Sequence, residues 1–185
     1  MVQIIALVGK AGSGKTVAGQ HLVNTYGYKR LRFAERLKAM LYAFGLDYNV
    51  VDGKDKEQSC ESLCGQTPRH AMQTLGTEWG RRMIGDNLWV KALERDMLLG
   101  IGAGITKFVI DDLRFLNEEL WVRGLNSTSL GGIQTKIIKI VRDVDDVSSV
   151  GHQSETEMDR IFPDLYIENT GTIDELYANV GRALE

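Results

Sequence analysis

The chain has 185 residues, a formal net charge of −3 and a sequence pI of about 5.7. This length suits one domain with a sizeable core, and the slightly acidic balance excludes the global basic footprint of a nucleic-acid-binding protein. The sequence contains no apolar run near the ~18 residues of a membrane span and no basic-then-apolar leader, so we expect a cytoplasmic protein without a membrane partner.

Apolar and amphipathic patterns alternate along the chain. Alternating strands and helices favour an α/β fold with a three-layer, parallel, five-stranded sheet. A helical insertion at about 46–86 contains no predicted strand, so we expect it to lie beside the sheet as a flap. Strands are predicted at residues 2–8, 29–33, 107–111, 136–142 and 164–168. Helices are predicted at residues 15–26, 35–45, 55–64, 68–84, 87–99, 115–123, 153–161 and 172–184.

Residues 9–16 read GKAGSGKT, a complete G-x-x-x-x-G-K-T phosphate-binding loop. The loop follows a predicted strand and opens a predicted helix, so its backbone N–H groups and the helix N-terminus would face an anion. Lys15 is predicted to reach the β- and γ-phosphates, and the Thr16 hydroxyl is predicted to bind Mg²⁺. The predicted nucleotide-binding residues of this loop are Ala11, Gly12, Ser13, Gly14, Lys15 and Thr16.

Two carboxylates, Asp111 and Asp112, end the third predicted strand and are followed by Arg114. In P-loop enzymes an acid at such a position holds Mg²⁺ or its water shell near the γ-phosphate. Open α/β sheets also bind their ligands at the carboxyl ends of strands. Asp112 is the first choice for the metal, with Asp111 as the alternative, and a plain helix N-cap would also explain the pair.

Several arginines fall in segments expected to flank the phosphate site. Arginine binds phosphate in a bidentate manner and keeps its charge. Transfer between two phosphorylated molecules requires such groups because the two anions repel each other. For each arginine the alternative is a solvated helix face. The arginines in question are Arg69, Arg81, Arg82, Arg114 and Arg142.

With these features the chain resembles the phage deoxynucleoside monophosphate kinases, which are P-loop enzymes of the nucleoside monophosphate kinase family. Dephospho-coenzyme A kinase is a near neighbour of that family. The D-x-R-F-x-N-E and H-x-S-E runs are more specific than the P-loop itself. The resemblance extends from residue 4 to about 180 and rests on the P-loop, residues 67–78 (TPRHAMQTLGTE), Trp89, residues 112–118 (DLRFLNE), residues 152–155 (HQSE) and residues 169–171 (NTG).

The resemblance implies one P-loop kinase domain over residues 1–185, with an acceptor-binding flap at about 35–90 and a lid at about 143–160. It implies MgATP as donor and a deoxynucleoside monophosphate as acceptor, in the host cytoplasm if the protein is phage-encoded. The sequence does not determine the oligomeric state, and the resemblance allows a homodimer.

The predicted lid departs from monophosphate kinases that carry several lid arginines. Residues 144–149 are acidic and contain no arginine. Arg142, Arg114 and Arg160 would therefore have to carry that role.

The chemistry of phosphoryl transfer assigns roles to these residues. The acceptor phosphate is already anionic at neutral pH, so positioning and charge neutralisation dominate over base catalysis. Lys15 and Arg142 would neutralise the transferred group, while Arg69 and Arg114 would hold the acceptor phosphate. The predicted catalytic residues are Lys15, Arg114, Arg142 and Asp112, with Thr16 and Asp112 at the metal.

Other polar and aromatic residues are candidates for binding the base and sugar. Thr77 and Trp89 are equally compatible with a place in the core, and His152 with a structural hydrogen bond. Asn169 is predicted to border the adenine, although a turn before Gly171 would also explain it. The predicted acceptor-binding residues are Arg69, Gln73, Thr77, Glu78, Arg82, Trp89, Asp111, Glu118, His152 and Glu155.

Two further hypotheses remain open from the sequence. One is a P-loop kinase acting on another small acceptor, such as dephospho-coenzyme A. The other is a non-enzymatic ATP-binding switch, which the arginine-rich flap disfavours because a switch needs no second phosphate site. The sequence does not rank the acceptor bases or deoxyribose over ribose.

Overall fold

The computed structural model describes residues 1–127, 132–142 and 157–184. Most of the predicted lid at 143–160, and the first four residues of the predicted helix at 153–161, lie outside these residues.

The chain divides into two compact units. One consists of Met1–Arg32 together with Glu94–Glu185, and the other consists of Phe33–Leu93. The first unit contains the β-sheet, and the second contains helices joined by short turns.

Five parallel strands form one sheet in the order β2-β3-β1-β4-β5, which confirms the predicted fold class. The central strand β1 is an almost continuous apolar run because both faces of a parallel sheet are covered by helices. β4 begins at Ile133, earlier than predicted, because it pairs with β1 as far back as Val2. The strands are β1 (Val2–Val8), β2 (Lys29–Leu31), β3 (Lys107–Ile110), β4 (Ile133–Val141) and β5 (Leu165–Glu168).

Apart from the short helix Tyr48–Val51, which the sequence did not predict, the main helices fall close to their predicted positions. None in the described ranges is long and apolar enough to cross a membrane. They are α1 (Lys15–Tyr26), α2 (Glu35–Ala43), α3 (Tyr48–Val51), α4 (Pro68–Gln73), α5 (Leu88–Gly102), α6 (Leu116–Gly124) and α7 (Ile173–Arg182).

The core of the first unit lies on both faces of the sheet. On one face, Leu7 of β1 belongs to a buried cluster with Leu22 of α1 and Leu176 of α7. On the other face, the ring of Phe108 packs against Gly100 of α5. This packing brings the carboxyl ends of β1, β3 and β4 to one edge of the sheet, where α/β folds bind ligands.

The predicted helix at 55–64 is wrong. The segment forms two single 3₁₀ turns, Lys54–Glu57 and Glu61–Leu63. Neither turn buries a residue, and an isolated helix this short gains too little from hydrogen bonding alone to be stable. The chain then reverses at Cys64, which has φ +54°.

The predicted helix at 68–84 is continuous but changes its winding. It is an α-helix over Pro68–Gln73 and a π-helix over Thr74–Ile84. Thr67 caps its start by accepting the His70 N–H at 3.1 Å. π-helical segments are rare, and most of them are single-turn bulges within α-helices, frequently at functional sites.

Candidate active site

The phosphate-binding loop connects β1 to α1 at the carboxyl edge of the sheet. Gly14 is the N-cap of α1 and has φ +105°, a conformation that favours glycine over residues with a Cβ. Because α1 begins at Lys15, the positive end of its dipole lies at the loop. This arrangement provides an anion-binding helix N-terminus.

The Lys15 side chain folds back over the loop and is only 8% exposed. Its ammonium group donates hydrogen bonds to the carbonyl oxygens of Gly9 at 2.5 Å and Lys10 at 2.7 Å. A positive charge is therefore held within the loop by its own backbone.

A pocket of about 440 Å³ opens beside the loop. It brings together four P-loop residues with Arg142, which follows β4, and Asn169, which follows β5. The sequence did not predict the apolar part of this lining. The available signals were two apolar residues, Val17 just after the loop and Ile173 at the start of α7. The lining residues are Gly12, Gly14, Lys15, Thr16, Val17, Arg142, Asn169, Gly171, Ile173 and Leu176.

Asn169 is 9% exposed and contacts two neighbouring segments. Its Nδ2 donates to the Ser13 carbonyl oxygen at 2.9 Å, and its backbone N–H donates to the Val141 carbonyl oxygen at 2.7 Å. Asn169 therefore connects the ends of β4 and β5 to the phosphate-binding loop.

The two acids after β3 have different surroundings. Asp111 is 4% exposed, lies against Gly19 of α1 and forms an ion pair with Arg30 of β2. Asp112 is partly exposed. The sequence did not predict that Arg30 pairs with Asp111. The two residues are 81 positions apart, and no local pattern connects an arginine in a short strand with so distant an acid.

Glu118 holds the loop between β3 and α6. Its Oε2 accepts the backbone N–H groups of Arg114 at 2.9 Å and Phe115 at 3.1 Å, and the residue is 2% exposed. The structure thus places this predicted acceptor ligand at the start of α6. There it satisfies the N–H of the N-cap residue Phe115, one of those that a helix terminus leaves unpaired, and the N–H of the preceding Arg114. Through these bonds Glu118 sets the backbone position of Arg114.

In the helical unit, the structure brings Trp89 and the π-helix together. Trp89 is 6% exposed, and its indole N–H donates to the Gly76 carbonyl oxygen at 2.8 Å. Gly80 faces the ring so closely that a Cβ there would lie 2.6 Å from a ring carbon. Thr77, on the same helix, is also buried. From the sequence, Thr77 and Trp89 were each compatible with the core or with a binding site. Both are packed inside this unit.

The arginines of the helical unit differ in exposure. The Arg81 side chain is 5% exposed and donates to Asp86, whereas the Arg82 side chain is 64% exposed and pairs with Glu78 at 2.6 Å on the helix surface. Arg69 pairs with Glu57 and is partly exposed.

Of the other predicted site residues, Gln73 is partly buried at the end of α4 and Ala11 is exposed in the loop. His152 and Glu155 lie outside the described residues. The structure therefore gives no place for them.

The chain is similar to known proteins in both sequence and fold. It is 30% identical, over 192 aligned residues, to a protein of Acanthamoeba polyphaga mimivirus that carries the provisional name deoxynucleotide monophosphate kinase. The alignment covers 96% of this chain and 93% of the viral protein. No family model matches the chain.

Two solved structures share the fold. A provisionally named kinase from Chloroflexus aurantiacus superposes with a TM-score of 0.55 at 12% identity, covering 99% of this chain and 96% of the other. The protein TT1252 from Thermus thermophilus superposes with a TM-score of 0.50 at 16% identity, with the same coverage of 99% and 96%. Identities this low indicate a common fold only. Given the viral relative and the phosphate-binding loop, the chain is a P-loop kinase and belongs to the deoxynucleotide monophosphate kinase family.

Proposed function

We propose that this kinase transfers the γ-phosphoryl group of MgATP to a deoxynucleoside monophosphate, giving the diphosphate. The observation that supports the donor half is the pocket that joins Lys15, Thr16 and Arg142 at the P-loop. The acceptor half is supported by the name of the viral relative and by the arginines of the helical unit. The corresponding organisation is one kinase domain over residues 1–185, with an acceptor flap at 35–90 and a lid at 143–160.

The pocket suits a triphosphate. Its lining includes loop glycines and the two cationic residues Lys15 and Arg142, which suit an anion. Apolar groups of Val17 and Ile173 line the same pocket and provide a surface for the nucleoside. Lys15 would exchange its bonds to the loop carbonyls for bonds to phosphate oxygens.

The residues near the loop also suit Mg²⁺. Thr16 is exposed in the first turn of α1 and offers a hydroxyl oxygen, and Asp112 offers a partly exposed carboxylate after β3. Oxygen ligands of this kind, completed by phosphate and water, are what Mg²⁺ prefers. When bound, the ion would neutralise charge on the phosphate oxygens. Asp111 is a weaker choice because its carboxylate is buried, at 4% exposure, against Gly19 and Arg30.

The chain's own residues would act by position and charge. An acceptor phosphate oxygen attacks the γ-phosphorus in line, the bond to the β-phosphate oxygen breaks, and ADP leaves with the bonding electrons. We assign Lys15 and Arg142 to the transferred phosphoryl group, and Arg114 and Arg69 to the acceptor phosphate. Preorganised cations lower the barrier here because negative charge accumulates on the phosphoryl oxygens and must be neutralised.

The acceptor base and sugar would be read by the helical unit. Gln73, Glu78 and Arg82 offer hydrogen-bonding groups, and buried Thr77 and Trp89 would hold the helix that carries them. A polar site of this kind rejects molecules that leave its groups unpaired.

The test is a panel of acceptors offered with MgATP, with ADP release as the measurement. We expect strong stimulation by at least one of dGMP, dTMP and dCMP, and none by dephospho-coenzyme A. Rapid phosphorylation of dephospho-coenzyme A with no response to any monophosphate would overturn the proposed acceptor. Tight ATP binding without turnover on any acceptor would favour a non-enzymatic switch.

A further inference from the structure

Asn169 lies at the meeting point of three segments of the first unit. Its backbone N–H bonds to Val141 at the end of β4, next to Arg142, and its side chain bonds to Ser13 in the P-loop. The two bonded residues Ser13 and Asn169 are 156 positions apart in the sequence, so only the sheet brings them together.

The side chain fits against the loop as well as bonding to it. A Cβ on Gly14 would lie 2.6 Å from the Asn169 Nδ2 and 3.3 Å from Leu176. The Ser13 carbonyl oxygen can only accept a hydrogen bond, so the group facing it has to be a donor. An amide nitrogen satisfies this requirement, and an apolar side chain of the same shape does not.

The bond to Ser13 also orients the next N–H group. The Ser13 carbonyl and the Gly14 N–H belong to one planar trans peptide, so they point in opposite directions. Holding the carbonyl on Asn169 therefore directs the Gly14 N–H away from Asn169. Gly14 has φ +105°, in a region where glycine has unusual freedom, so its peptide needs an external restraint.

We propose that Asn169 is a positioning residue that orients the Ser13–Gly14 peptide of the P-loop for the triphosphate, and that it does not read the adenine. Its low exposure of 9% and the commitment of Nδ2 to Ser13 leave little of the amide to contact a base. The inference rests on the proposed use of a nucleoside triphosphate donor. It requires that a substitution of Asn169 change the affinity for every triphosphate by the same factor, whether or not a base is attached.

The experiment measures binding by calorimetry, without any acceptor, for ATP, GTP and inorganic tripolyphosphate. The principal variant is Asn169→Leu, which keeps the side-chain shape and removes the donor. Asn169→Ala is the second variant, because it removes the donor without adding bulk. It keeps the experiment decisive if leucine prevents folding. Tyr166→Phe, on an exposed residue of β5, is the matched control. Thermal unfolding without ligand shows whether each variant is folded.

We expect both Asn169 variants to bind all three ligands about 10-fold more weakly than the wild type, because an unsatisfied carbonyl leaves the loop peptide free to turn. The ratio of ATP to GTP affinity should stay at its wild-type value, and Tyr166→Phe should bind normally. Unchanged affinities in a folded variant would overturn the inference, since Asn169 would then be structural. Weaker ATP binding with normal tripolyphosphate binding would also overturn it, in favour of direct base contact. Failure of the wild type to bind any of the three would instead contradict the donor site itself.

Discussion

The ammonium group of Lys15 donates a 2.5 Å hydrogen bond to the carbonyl oxygen of Gly9, six residues earlier in the same loop. Together with the 2.7 Å bond to the Lys10 carbonyl oxygen, it keeps the ammonium group within the loop. A phosphate entering the loop would meet a cation already at the site, and its oxygens would replace the loop carbonyl oxygens as partners of the ammonium group.

Replacing Lys15 with alanine should lower kcat by at least about 100-fold, comparable to the loss of one preorganised donor to the transition state. The measurement is steady-state ADP release with saturating MgATP and acceptor, alongside circular dichroism to confirm the fold. Lys10→Ala is a suitable control, because Lys10 is exposed and contributes only its backbone carbonyl to the contact. Near wild-type turnover in a folded Lys15→Ala protein would exclude a P-loop mechanism.

The two acids after β3 should respond differently to the same substitution. We expect Asp112→Asn to weaken metal-dependent turnover more than nucleotide binding without metal. Asp111→Asn should mainly lower stability, by about 1–3 kcal/mol, because it weakens the buried pair with Arg30. Magnesium titrations of activity and urea unfolding separate the two effects. If Asp111→Asn alone changes the magnesium dependence, the assignment of the metal to Asp112 is wrong.

Arg69→Ala and Arg114→Ala should each raise the acceptor KM or lower kcat while the ATP KM changes little. Loss of a charged hydrogen-bond partner costs about 1.5–3 kcal/mol, or roughly 10- to 150-fold. Arg95→Ala, at an exposed position of α5, controls for the loss of one positive charge. An effect confined to the ATP KM would place these arginines at the donor instead.

Gly80→Ala should destabilise the helical unit. Its Cβ would lie 2.6 Å from the Trp89 ring, so the indole has to move, at a cost of about 1–3 kcal/mol for overpacking. Urea unfolding followed by tryptophan fluorescence measures the change. Gly85→Ala, where a Cβ meets nothing within 4 Å, is the matched control. Equal stabilities of the two variants would show that the Gly80–Trp89 contact is not tight in solution.

The features that could be predicted from sequence depend on local pattern. The apolar run of β1 followed by GKAGSGKT specifies a strand, a glycine turn and a helix within a short stretch, and all three are where the pattern predicts them. The helix predicted at 55–64 does not form, and none of the residues in the two turns found there is buried, so packing does not stabilise a longer helix. The π winding after Gln73 has no local signal either, since it occurs where the helix packs against Trp89.

The sequence by itself determined the α/β class, the phosphate-binding loop and the acid pair after β3, because each depends on neighbouring residues whose spacing is read directly. The tertiary structure decided that Asp111 pairs with Arg30, which arginine is buried and which amide holds the loop. Asp111 with Arg30, and Asn169 with Ser13, are 81 and 156 residues apart, and they meet only because parallel strands bring their carboxyl ends to one edge of the sheet. Hydrogen bonds across such separations depend on strand order and register, which no local pattern in this chain specifies.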